Sequence, residues 1–100
     1  MQTENRLILT NMRFRLGQLA ATPGALAALA EQGKTPQEFV QRHASCDWSD
    51  MDTEDATANT LALLTGTRIF SSFNLPQGGK VWVITEADRS STTLLLPEDY

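Results

Sequence analysis

Two threonine-proline steps organise the polar and apolar positions of the first half of the chain. At Thr22-Pro23 the hydroxyl can accept a hydrogen bond from a free backbone N–H, and proline at the first helical position lacks the donor that would otherwise be orphaned. A helix is therefore expected there, with Leu26 and Leu29 on one face and Gly33 supplying the left-handed residue that ends it. Thr35-Pro36 repeats the signal, with Glu38 placed three residues on to reach back in a capping box. Phe39, Val40 and His43 share a face of this second helix, which is expected to fray near Ser45. A third helix begins at Asp52 or Thr53, where early carboxylates suit the positive end of the helix dipole. Ala58, Leu61 and Leu64 form its predicted apolar stripe, and Gly66 stops it.

After Gly66 the period changes from helical to two. Residues 67–73 read as a strand with Ile69 and Phe73 on one side, and Leu75-Pro76-Gln77-Gly78-Gly79 as a loop. Residues 80–86 place Val81, Val83 and Thr85 on one face and Trp82, Ile84 and Glu86 on the other. A polar turn over 87–91 leads to a third strand, 92–96, ended by Pro97. The predicted fold is α+β: about three N-terminal helices packed on one face of a three-stranded antiparallel β-meander. Ahead of the helices, Met12, Phe14 and Leu16 alternate with Arg13 and Arg15, so residues 1–15 are read as a flexible lead or an extra strand of a single domain spanning 1–100.

Composition agrees with an ordinary core, with 41% apolar and 20% charged residues. The lone Cys46 excludes an internal disulfide and zinc sites built on cysteine pairs, which favours a reducing cytoplasm. No apolar run approaches the roughly 20 residues a bilayer requires, and Met1 to Asn5 show no charged lead into an apolar signal core, so neither a membrane partner nor export is expected. The net charge of −4 is unevenly spread: residues 1–46 hold five basic and three acidic residues, residues 47–100 three basic and nine acidic. The second half is expected to repel phosphate backbones.

The Asp47-Trp48 pair, the two threonine-proline starts and above all the string Trp82-Val83-Ile84-Thr85-Glu86-Ala87-Asp88-Arg89-Ser90-Ser91-Thr92-Thr93, running on to Leu96-Pro97-Glu98-Asp99-Tyr100, resemble a known family. It comprises small uncharacterised "plasmid-related" proteins encoded on proteobacterial plasmids and integrative elements. The resemblance covers about residues 16–100 and implies no catalytic residue, substrate or cofactor. It implies a setting, an accessory gene of a mobile element in a bacterial cytoplasm. A restriction-modification label carried by some members finds no support here, because the chain has no glycine-rich strand-turn-helix for a nucleoside cofactor.

Several constellations are weighed as chemistry. His43 and Cys46 have the spacing of a base and a nucleophile, but the acidic stretch after Cys46 raises a thiol pKa, so both are read as structural and no catalytic residue is assigned. The acids between Asp47 and Asp55 lack the glycine and alternate spacing of a calcium loop, so no metal is assigned. Asp88 is expected to shape a turn and Arg89 to pair with a carboxylate. Trp48 and Trp82 are equally core residues or interface anchors. The resulting expectation is a non-enzymatic interaction protein, monomer or homodimer. It binds a host or element-encoded protein through Asp47, Trp48, Asp50, Asp52, Trp82, Glu86, Asp88 and Arg89, with interference with host defence of the anti-CRISPR or antirestriction type as one version. The alternative is a nucleic-acid-binding accessory or regulator using Arg13, Phe14 and Arg15, two cations flanking a stacking ring.

Overall fold

Three hydroxyl or carboxylate caps start the three helices. A computed structural model describes residues 9–100; the expectations for residues 1–8, including the leader reading of Met1 to Asn5, lie outside these. Thr22 Oγ1 accepts from Ala25 N (3.1 Å) and opens α1, Pro23–Glu31. Thr35 Oγ1 accepts from Glu38 N (3.4 Å) and opens α2, Pro36–Ala44, while the Glu38 carboxylate lies 3.5 Å from Lys34 Nζ. Asp52 Oδ1 accepts from Asp55 N (2.8 Å) and opens α3, Thr53–Thr65, which Gly66 ends at φ 73°.

The sheet departs from the expected meander. It has four strands: β1 (Gln18–Ala21), β2 (Ile69–Asn74), β3 (Lys80–Thr85) and β4 (Ser91–Leu95), in the spatial order β1-β4-β3-β2. β1 lies parallel to β4, whereas β2, β3 and β4 pair antiparallel, so the sheet is mixed. The helices follow β1 and are therefore mid-chain, not N-terminal. β1 begins only after the Met12 to Leu16 alternation, at the point where Gly17 (φ 66°) turns the chain against β4. A Cβ at Gly17 would sit 2.3 Å from the Ser90 carbonyl carbon and oxygen, so this approach requires glycine. A 3-10 turn, Pro97–Asp99, closes the chain, and Asp99 Oδ2 accepts from Thr22 Oγ1 (2.6 Å) and Leu96 N (3.1 Å). These two bonds hold the Asp99 carboxyl below its ordinary range, with Thr22 the larger cause.

α1 and α2 cover one face of the sheet. Ala25 and Leu29 from α1, and Phe39, Val40 and Ala44 from α2, pack with Phe73, Val81, Val83 and Leu94 in one buried cluster. The Cα radius of gyration, 13.4 Å, matches the roughly 13 Å of a compact 100-residue domain. α3 does not present its expected stripe: Leu61 and Leu64 are 55% and 79% exposed, and Asn59 and Ala62 face inward. The reason is where α3 docks. Asn59 Nδ2 donates to Phe70 O (2.6 Å) and its Oδ1 accepts from Phe70 N (3.0 Å), so the helix is pinned to the edge of β2, and a polar residue defines its contact face. Among the described residues no helix is long and apolar enough to cross a membrane.

Candidate functional site: an acidic groove on the open face of the sheet

The other sheet face is only partly covered: Phe70 and Ser72 of β2 and Trp82 of β3 are half-buried there, whereas Ile84 and Leu95 are buried. Phe70 and Trp82 form an aromatic row with Tyr100, which follows the 3-10 turn. Phe70 and Trp82 meet edge to face with centroids 4.9 Å apart, and Trp82 and Tyr100 at 6.0 Å. Where this row meets the start of α3 there is a groove of about 420 Å³ lined by Asp50, Met51, Asp52, Asp55, Phe70, Ser72, Lys80 and Trp82. Asp50 is committed elsewhere, to Arg42 Nη1 (3.5 Å) and to Asn74 N (2.9 Å). Asp52 and Asp55 form no ion pair among the described residues. Their two charges exceed the positive half-charge of the α3 N-terminus beside them, so this end of the groove is negative.

The edge of β2 adds a second kind of recognition group. Phe70 turns both backbone groups away from β3, toward Asn59, and in an antiparallel ladder this alternates along the strand, so Ser72 and Asn74 turn outward too. Asn59 satisfies Phe70 and Asp50 satisfies the Asn74 N–H. Between these two pins the ladder turns the Ser72 N–H and C=O to the outer edge of β2, where they have no partner among the described residues, and Ser72 itself lines the groove.

Beneath the inner face runs a chain of buried hydrogen bonds whose direction is fixed at both ends. The Trp48 indole N–H can only donate, and it donates to Ser71 Oγ (3.1 Å); a carbonyl can only accept, and Leu16 O accepts from Thr92 Oγ1 (2.7 Å). Thr92 therefore accepts from Thr85 Oγ1 (2.6 Å), and Thr85 in turn accepts from His43 Nε2 (2.8 Å). His43 Nδ1 is left as the acceptor for Ser71 Oγ (2.6 Å). His43 is thus the neutral tautomer protonated on Nε2, 0% exposed, and its pKa is lowered to about 3, chiefly by burial and secondarily by the charge of Arg89. Among the described residues no buried side-chain polar atom lacks a partner.

Ser71 and His43 have the spacing of a nucleophile and its base. Both are 0% exposed and neither lines the groove, so the pair ties α2 to β2 within the interior. With both ring nitrogens engaged, His43 has none left to deprotonate Cys46, whose thiol is pushed up by burial against a smaller opposing effect of Arg13. Among the described residues no group of three or more His, Cys, Asp or Glu side chains is placed to hold a metal ion.

The eight residues expected to bind a partner fall into three places. Asp50, Asp52 and Trp82 converge on the groove. Asp47 accepts from Arg42 Nε (2.7 Å), the main cause of its lowered pKa, and half-buried Trp48 belongs to the hydrogen-bonded chain. Glu86 lies 3.6 Å from Arg68, and Asp88 accepts from Ser90 N (2.9 Å) in the turn. Arg89 was expected to pair with a carboxylate; it donates to the carbonyls of Thr67 (2.8 Å), Glu86 (3.1 Å), Ala87 (3.2 Å) and Ala62 (3.4 Å), tying the end of α3 to the β3–β4 turn. Arg13 and Arg15 are exposed, and Phe14 packs edge-on to His43 at 5.1 Å with the Arg89 guanidinium 5.9 Å from its ring. Sequence reasoning missed Asp55, in the first turn of α3, and Phe70 and Ser72, which the register of β2 on β3 brings to the groove. A second groove, about 320 Å³, lies beside β1 and is lined mainly by apolar side chains, among them Leu19, Leu26, Val40 and Leu94. No family model, no curated protein and no solved structure matches the chain.

Proposed function

We propose that the protein is a non-enzymatic interaction module that binds another protein across the open face of β2 and β3, at the groove beside Asp52 and Asp55. The observation that carries this reading is the combination in one place of an aromatic floor with two carboxylates and a strand-edge peptide that have no ion-pair or hydrogen-bond partner, respectively, among the described residues. Aromatic anchors in a recess with a charged rim are the usual make-up of a protein-binding hot spot. The buried Ser71–His43 pair and the raised Cys46 thiol speak against a reaction centre. The setting in a bacterial cytoplasm, with a host or mobile-element protein as partner and interference with host defence as one version, rests on the resemblance carried by the Trp82 to Thr93 string.

A photo-reactive phenylalanine analogue in place of Lys80, at the groove, is the test, with the same analogue in place of exposed Leu64 as control. Irradiation in bacterial lysate is expected to give a defined protein adduct from the first position and not from the second. Equal labelling from both, or none from the groove, overturns the proposal.

A further inference from the structure

We infer that the groove takes an extended peptide segment bearing an arginine or lysine, whose backbone pairs with Ser72 and whose cation lies between Asp52, Asp55 and the Trp82 ring. This rests on the docking reading above and adds the chemistry of the partner. The geometry of β2 leads to it. A strand edge ordinarily exposes a row of donors and acceptors, a liability for aggregation, and here the row is blocked at Phe70 by Asn59 and at Asn74 by Asp50. One residue between them, Ser72, turns both groups to the outer edge of the strand and lines the groove. A single N–H and C=O pair is matched by one residue of an extended chain, the arrangement of strand addition cut to its minimum.

Charge selects what that chain carries. Asp52 and Asp55 lie on the same wall and have no cation of their own among the described residues, while Lys80, the basic group of the groove, donates to Asn74 Oδ1 (2.6 Å) at its other end. An incoming side chain at the α3 end therefore meets negative potential above an indole ring, which favours a guanidinium or ammonium over a carboxylate or an alkyl group. A peptide that also carries an acid is directed the other way, toward Lys80. Charge complementarity thus sets orientation as well as composition.

The test is a ¹⁵N-¹H titration of the whole chain with a synthetic extended peptide of alternating arginine and valine, with a glutamate-for-arginine version as comparison. The arginine peptide is expected to move the Ser72 amide and the Trp82 indole resonances saturably, with affinity falling as salt rises. Asp52→Asn keeps the cap of α3, since asparagine caps as well as aspartate, and together with Asp55→Asn it is expected to weaken binding roughly tenfold or more. Equal affinity for the glutamate peptide overturns the cationic claim while leaving the groove a docking surface. Shifts at Trp82 that spare Ser72 overturn the backbone pairing. Shifts at Ser72 on raising the protein concentration alone assign the groove to a second copy of the chain and overturn the inference. Failure of the lysate cross-link would instead remove the docking reading itself.

Discussion

Lowering the pH below the ordinary histidine range should destabilise this protein through one residue. His43 is the single histidine of the chain, and its pKa falls from 6.5 to about 3 on folding. Because the folded value is depressed, the unfolded state binds the extra proton: the stabilisation is complete above 6.5 and is lost as pH falls through the interval toward 3. Within that interval stability declines by about 1.4 kcal/mol per pH unit, so the descent from roughly pH 7.5 to roughly pH 5 costs about 2 kcal/mol. For a chain of this size that is a fall of about 10 °C in melting temperature. Burial is the larger cause, and the directional chain of bonds acts in the same sense. A proton on Nδ1 would face the Ser71 hydroxyl, which already accepts from Trp48 and would have to find its hydrogen another acceptor. The lowered carboxyls of Asp47, Asp88 and Asp99 start from 3.8 and titrate in a separate, more acidic window. Thermal melts across this range, with ¹⁵N spectra of the imidazole, check both the slope and the tautomer. An imidazole that titrates near 6.5, a neutral ring protonated on Nδ1, or a flat melting temperature would refute the reasoning.

Other perturbations separate the remaining elements. Gly17→Ala drives a methyl into the Ser90 peptide at a left-handed position, and should destabilise by about 2 kcal/mol or more in denaturant melts; a loss of a few tenths would mean that β1 does not lie where it pairs with Ser91. Asn59→Ala strands the Phe70 N–H and C=O and should cost about 1–3 kcal/mol, with faster amide exchange at Phe70 than at Ser71. Arg13→Ala combined with Arg15→Ala should leave nucleic-acid retention at the background of the native chain, because Phe14 packs on His43; strongly salt-dependent retention of DNA by the native chain that the double variant loses would revive the nucleic-acid reading.

What was legible in the chain was local. The caps at Thr22, Thr35 and Asp52 and the stop at Gly66 depend on residues within a turn of one another, and the structure places each helix end accordingly. β1 was not legible, because Gln18–Ala21 has no alternating pattern and its pairing with Ser91 to Leu94 is set across almost the whole chain. The α3 stripe misled for a different reason. Leucines three apart mark a face, but the docking of a helix against a strand edge is decided by hydrogen bonding, and Asn59 supplied it. His43 was recognised as part of an inward face, yet its partners Ser71 and Thr85 stand 28 and 42 positions away and read as ordinary strand polar residues. The acidic run and Trp82 pointed toward the groove, while Ser72 enters only through the register of β2 on β3.

Amide hydrogen exchange along β2 reaches the centre of the docking account. In the free protein the Ser72 N–H should exchange far faster than those of Phe70 and Asn74, which Asn59 and Asp50 hold, and an arginine-bearing extended peptide should slow it selectively. A Ser72 amide already as slow as its neighbours in the free chain would mean a closed edge, and the groove would have no backbone to offer a partner.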